Sequence, residues 1–143
     1  RHYILKLIIM KLRSFFGIII LLALSISSCR KGEGKGGKAT ILGKVYVQHY
    51  TNLGATPGIS YYARDKDVFI VYGNNTFYDD KVATHHDGSY QFDYLMPGNY
   101  TVYTYSKDVV GSADNPKILV LKEVTISDKN QTVELDDFEI DDD

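Results

Sequence analysis

The stretch that most limits what this chain can fold into is residues 87–105, DGSYQFDYLMPGNYTVYTY. Asp87-Gly88 is a turn dipeptide, since Gly accepts positive φ without steric cost and Asp can hydrogen-bond the backbone ahead of it. Tyr90, Phe92 and Tyr94 then alternate with Gln91 and Asp93, the period of a strand with one buried face. Met96-Pro97-Gly98-Asn99 interrupts the run, because Pro97 lacks an N–H and Gly98 permits a reversal. Tyr100, Val102 and Thr104 resume the alternation against Thr101, Tyr103 and Tyr105. Two strands joined by a tight turn, a hairpin, are predicted, with Tyr90, Phe92, Tyr100 and Val102 facing inward.

The flanking segments extend the β pattern. In residues 39–50, Ile41, Gly43, Val45 and Val47 share one face and Leu42, Lys44, Tyr46 and Gln48 the other. Residues 51–60, with Gly54, Pro57 and Gly58, read as a loop, and residues 61–67 as a short edge strand or loop. VFIVY at 68–72 is apolar at every position, as in a strand covered on both sides. A further strand is expected around Lys81–Thr84. Residues 117–126 and 132–140 supply the last two strands, with Asp136-Asp137 breaking the alternation as a bulge or crossover would. No segment after residue 29 sustains a 3.6-residue period. The expectation is an all-β fold: a Greek-key β-sandwich of about seven strands, over residues 39–140, followed by an acidic tail at 141–143.

The N-terminus reads as an address. Lys11 and Arg13 precede a twelve-residue apolar run, residues 15–26, too short for an ordinary membrane span of about 20 residues. Ile26-Ser27-Ser28-Cys29 follows and resembles the bacterial lipobox. That resemblance implies a signal-peptide helix within residues 1–28, cleavage before Cys29, and lipid on its thiol and α-amine. Met10 is the expected start. Residues 29–38 then become the lipidated Cys and a flexible Gly/Lys tether. Without Asp after Cys29, the resemblance further implies a lipid-anchored place in the cell envelope, at the outer membrane.

Charge narrows the partners. All 18 acidic residues follow Cys29, whereas Arg1, Lys6, Lys11 and Arg13 precede it, leaving twelve basic residues beside them and a net charge of −6. No basic, aromatic-interleaved stripe offers itself to nucleic acid. One cysteine permits no internal disulfide. His85 and His86 are adjacent, so on a strand they point to opposite faces and do not chelate one ion together. Asp65, Asp67, Asp79, Asp80 and Asp87 match no calcium loop and read as solvated loop acids. No nucleophile elbow, HExxH, P-loop or dinucleotide fingerprint occurs, so no enzyme, metal or cofactor is expected.

Ile41-x-Gly43-Lys44-Val45, Val68-Phe69-Ile70, and Asp87-Gly88-x-Tyr90-x-Phe92-x-x-Leu95-x-Pro97-Gly98-x-Tyr100-x-Val102 together resemble the carboxypeptidase-regulatory-like domain. That family implies a transthyretin-like (Ig-like) sandwich, related to Cna-B repeats, that accompanies a peptidase, a receptor or an adhesin. With the inward set assigned, Tyr103 and Tyr105 point outward, and Tyr46 with Phe69 or Val71 is expected to join them. The candidate binding surface is therefore Tyr46, Tyr103 and Tyr105. The occupant expected first is an envelope protein partner; a glycan stacking on the tyrosines, or a separate peptidase or transporter served as accessory subunit, are the alternatives.

Overall fold

The computed structural model describes residues 3, 32–51, 56–108 and 117–142. The apolar leader, the lipobox Ile26-Ser27-Ser28-Cys29 and Asp143 lie outside the described residues.

The first sheet is built on β1 (Lys35–Thr51), seventeen residues long and paired with five other strands. One edge takes β6 (Ser89–Leu95) and then the two-residue β3 (Tyr61–Tyr62), both antiparallel; β2 (Thr56–Pro57) folds back on the end of β1. The other edge takes β9 (Thr132–Glu134) and β10 (Phe138–Asp142), both parallel to β1. The second sheet is antiparallel in the order β5-β4-β7-β8, with β4 Asp67–Tyr72, β5 Asp80–Ala83, β7 Gly98–Lys107 and β8 Lys117–Ile126. The two sheets form the expected β-sandwich. Among the described residues it has ten strands rather than about seven, because the stretch read as loop and edge yields β2 and β3 and the last expected strand splits into two.

Alternation selects the core. Ala39, Ile41, Val45 and Val47 from β1 meet Val68 and Ile70 from β4, and Tyr100 and Val102 from β7. Ala63, Tyr90, Phe92, Leu95, Val124, Ile126, Phe138 and Ile140 complete the layer. Each large apolar side chain so buried contributes about 1.5–3 kcal/mol relative to exposure. The split at Asp136-Asp137 is a bulge. β1 advances three residues from Leu42 to Val45 while the C-terminal strand advances four, from Glu134 to Phe138.

Four expectations change. First, residues 87–105 are not a hairpin: β6 pairs with β1 and β7 with β4 and β8, so the Pro97 turn carries the chain from one sheet to the other. The turn's backbone groups are satisfied elsewhere. The Met96 N–H donates to the Gly34 carbonyl (2.8 Å), and the Tyr100 hydroxyl donates to the Met96 carbonyl (2.6 Å). Second, Tyr94 is exposed, because β6 carries an extra residue between the Phe92–Ile41 and Leu95–Ala39 pairs. Tyr94 sits there at φ +60°, a conformation that costs a non-glycine residue about 1–3 kcal/mol.

Third, residues 35–38, read as part of a flexible tether, belong to β1. Gly34 is buried, its N–H donates to the Tyr100 hydroxyl (3.0 Å), and β1 already begins at Lys35, whose ammonium meets Asp80 at 2.6 Å. Fourth, the acidic tail is not free. Asp141 and Asp142 pair with Gln48 and His49, and Asp142 holds the Lys107 ammonium at 2.7 Å.

Candidate functional site

The outer face of the second sheet brings exposed and half-buried apolar side chains into one cluster. β4 sends Val68 and Ile70 into the core, so by alternation Phe69 and Val71 point away from it. Both are only half-buried. VFIVY is thus apolar throughout without being covered by protein on both faces.

Strand register assembles the rest. Phe69 stands opposite Tyr103, and Tyr103 opposite Leu121; two rungs along, on the same face, Tyr105 stands opposite Leu119. Residues directly opposite one another share a face. The Phe69 and Tyr103 rings stack with centroids 5.0 Å apart and planes 13° apart. Tyr105 meets Phe69 edge-on at 5.8 Å and Tyr103 at 5.7 Å. Tyr78, from the β4–β5 connection, closes the cluster edge-on against Phe69 at 5.1 Å. Leu119 and Leu121 are 48% and 50% exposed, far more than aliphatic side chains inside a layer would be.

Cations edge the cluster. The Lys81 ammonium lies 5.9 Å from the Phe69 centroid and is held by Asp67 at 2.8 Å; that hydrogen bond and charge raise the Lys81 pKa. Lys117 lies 5.9 Å from the Tyr105 centroid. Burial pushes the Tyr103 hydroxyl above the ordinary tyrosine range, and Tyr105 and Tyr78 add to the shift. Beside Tyr105 opens a shallow depression of about 420 Å³, walled by Asp65, Lys66, Asp67 and Lys107. Burial depresses the Lys66 pKa, with the nearby Asp142 opposing the shift. Chemically the arrangement suits contact, with apolar area at its centre and charge at its rim. Among the described residues the face offers no paired nucleophile and base.

Of the predicted surface residues, Tyr103 and Tyr105 lie together and Tyr46 does not join them. Tyr46 belongs to the first sheet, where it packs edge-on against Tyr62 at 5.3 Å. Tyr62 is occupied in turn by the Lys44 ammonium over its ring (4.9 Å) and by a 2.9 Å bond from its hydroxyl to Asp137. That second patch is tied up by its own neighbours. Leu119, Leu121 and Tyr78 were not singled out from sequence. The alternation of KILVLKEV puts both leucines on one face, but which tyrosines they flank depends on the β7–β8 register.

The acids read as solvated loop residues are each engaged locally. Asp67 holds Lys81, Asp80 holds Lys35, Asp65 holds Arg64 (3.1 Å), and Asp79 accepts from the Tyr72 N–H and the Asn75 amide. Asp87 accepts from the Ser89 hydroxyl and N–H, bonds that lower its pKa. Among the described residues no three His, Cys, Asp or Glu side chains gather as a metal would require.

No protein-family model matches the chain, and no curated protein matches it. Among solved structures the chain is similar to a proposed carbohydrate binding protein from Pseudomonas aeruginosa, at 18% identity and a TM-score of 0.45 over 72% of this chain and 90% of that one.

Proposed function

We propose that this protein is a lipid-anchored lipoprotein of the bacterial cell envelope, at the outer membrane, whose carboxypeptidase-regulatory-like sandwich is a non-catalytic protein-binding module. The observation that carries the binding assignment is the face made by Phe69, Tyr78, Tyr103, Tyr105, Leu119 and Leu121. Aromatic and aliphatic groups side by side, rimmed by lysines, have the make-up of a protein interface. A glycan platform instead presents open ring faces. Here Phe69 and Tyr103 turn one face to each other, and the leucines add alkyl surface with no stacking value for a sugar. The lipid anchor rests on the lipobox Ile26-Ser27-Ser28-Cys29 alone.

The test is mild in-cell crosslinking, purification of the native protein from membranes, and the same experiment on face variants. A stoichiometric envelope partner is expected, lost at least tenfold in Tyr103→Ala and Leu121→Ala and retained in Tyr46→Ala. Recovery of the protein alone, or a partner indifferent to Tyr103, would overturn the face; sugar binding by the wild type in its place would favour the glycan reading. Cys29→Ser should release the protein from the lipid-modified membrane fraction, and unchanged fractionation would remove the anchor.

A further inference from the structure

The edge of the second sheet is a surface distinct from its face. β8 closes the order β5-β4-β7-β8. One side of it is filled by ten rungs to β7, from Gly98–Ile126 to Lys107–Lys117. Along its other side no strand pairs with it among the described residues. A ten-residue edge with exposed Ile118, Leu119 and Leu121 is long and apolar for an unpaired strand, since such edges recruit another chain unless something blunts them.

We propose that the strand recruited is β8 of a second copy, joined antiparallel about a two-fold axis at Val120, so that two four-stranded sheets become one. The sequence of β8 is complementary to its own reverse in this register. Lys117 falls opposite Glu123 of the second copy, Leu119 opposite Leu121, and Val120 opposite itself. Ile118 falls opposite Lys122, whose ammonium reaches toward the facing sheet, 5.4 Å from the Phe138 centroid, so that its alkyl stem is what Ile118 meets.

Neighbouring registers fail on the same residues. An axis at Leu121 sets Leu119 against Glu123 and Val120 against Lys122. An axis at Leu119 sets Lys117 against Leu121. An axis at Lys122 sets that lysine against its own copy. Only at Val120 do charge meet opposite charge and leucine meet leucine on the outer face, and a closed two-fold pairing of this kind leaves no further β8 edge to recruit a third chain. The aromatic face of each copy is left open. Its rung Phe69–Tyr103–Leu121 continues into Leu119 and Tyr105 of the second copy.

Two measurements on the full chain, purified in detergent with Cys29→Ser to remove lipid and native thiol, test the edge. Val120→Cys should oxidise to a disulfide-linked dimer, because directly opposed antiparallel residues have Cα atoms about 4.5–5.5 Å apart, within disulfide range. Leu121→Cys, diagonal to its own copy, should not. In sedimentation the dimer should weaken at least tenfold in Lys117→Glu, which places two acids together at each end, and recover in Lys117→Glu/Glu123→Lys. A folded Val120→Cys chain that stays monomeric with its introduced thiol free, or a charge swap that fails to restore the dimer, would overturn the proposal. Neither result bears on the face, which Tyr103→Ala reads separately.

Discussion

Tyr90 and Tyr100 are equally buried, at 1% and 2% exposure, on strands that follow one another in the chain, yet their hydroxyls do opposite things. The Tyr100 hydroxyl bonds Gly34 and Met96, tying the incoming chain to the sheet-crossing turn. The Tyr90 hydroxyl has no partner among the described residues. Its ring lies across Gly43, its partner on β1, and packs against Phe92 and Phe138 at centroid distances of 6.1 and 5.9 Å. A Cβ on Gly43 would sit 2.6 Å from the Tyr90 hydroxyl oxygen. Tyr90 is there for its ring and Tyr100 for its hydroxyl. Burial alone does not tell a structural hydrogen bond from a space filler.

The largest change should come from Gly43→Val, which drives two methyls into the Tyr90 ring. Overpacking of this kind costs about 1–3 kcal/mol, visible as a lower urea midpoint, and Tyr90→Phe should recover only part of it because the ring carbons remain close. A Gly43→Val protein of wild-type stability would show that the ring is free to move aside. Next comes Tyr100→Phe, which strands the Gly34 N–H and the Met96 carbonyl. A loss of about 1–3 kcal/mol is expected, with faster hydrogen exchange at Gly34. Unchanged exchange there would dissolve the contrast between the two tyrosines.

The third test uses pH. Burial raises the Tyr90 pKa, with Asp137 adding to it. Between the unfolded tyrosine value of about 10 and the higher folded one, the native state binds more protons, so stability present below pH 10 falls as pH rises, by up to about 1.4 kcal/mol per pH unit per such group. Denaturant midpoints from pH 9 to 11 should decline less steeply in Tyr90→Phe than in wild type; identical slopes would remove Tyr90 as the cause. The smallest effect is Tyr90→Phe at neutral pH. Deleting an unpartnered hydroxyl should leave stability within about 1 kcal/mol of wild type or slightly above it. A loss comparable with Tyr100→Phe would mean that the hydroxyl has a partner after all.

What the sequence made legible was alternation. The inward set of Ile41, Val45, Val47, Tyr90, Phe92, Tyr100 and Val102 follows from period two, and the Asp136-Asp137 bulge from its interruption. Sheet membership was not legible. Period two says that Tyr46 and Tyr103 each point away from a core but not that they do so on opposite sides of the molecule, because pairing is long-range. The Pro97 turn misled for a related reason. Pro-Gly marks a reversal whether the next strand joins the same sheet or the facing one, and here the turn is bonded to Gly34, some sixty residues upstream. Tyr94 departs from its run because β6 must absorb one extra residue against β1. The candidate face was half visible, its tyrosines from alternation and its leucines and Tyr78 only through register.

The docking of Gly34 sets how this module is presented. If Cys29 carries the lipid, Gly34 follows it by five residues, and a chain reaching at most about 3.6 Å per residue holds it within roughly 18 Å of the Cys29 Cα. On that reading the Gly34 end of the sandwich stays near the membrane, and the Pro97 turn, held to Gly34 through the Met96 N–H, stays with it. A partner for the aromatic face would then be sought within reach of one membrane surface, and the search would run in two dimensions.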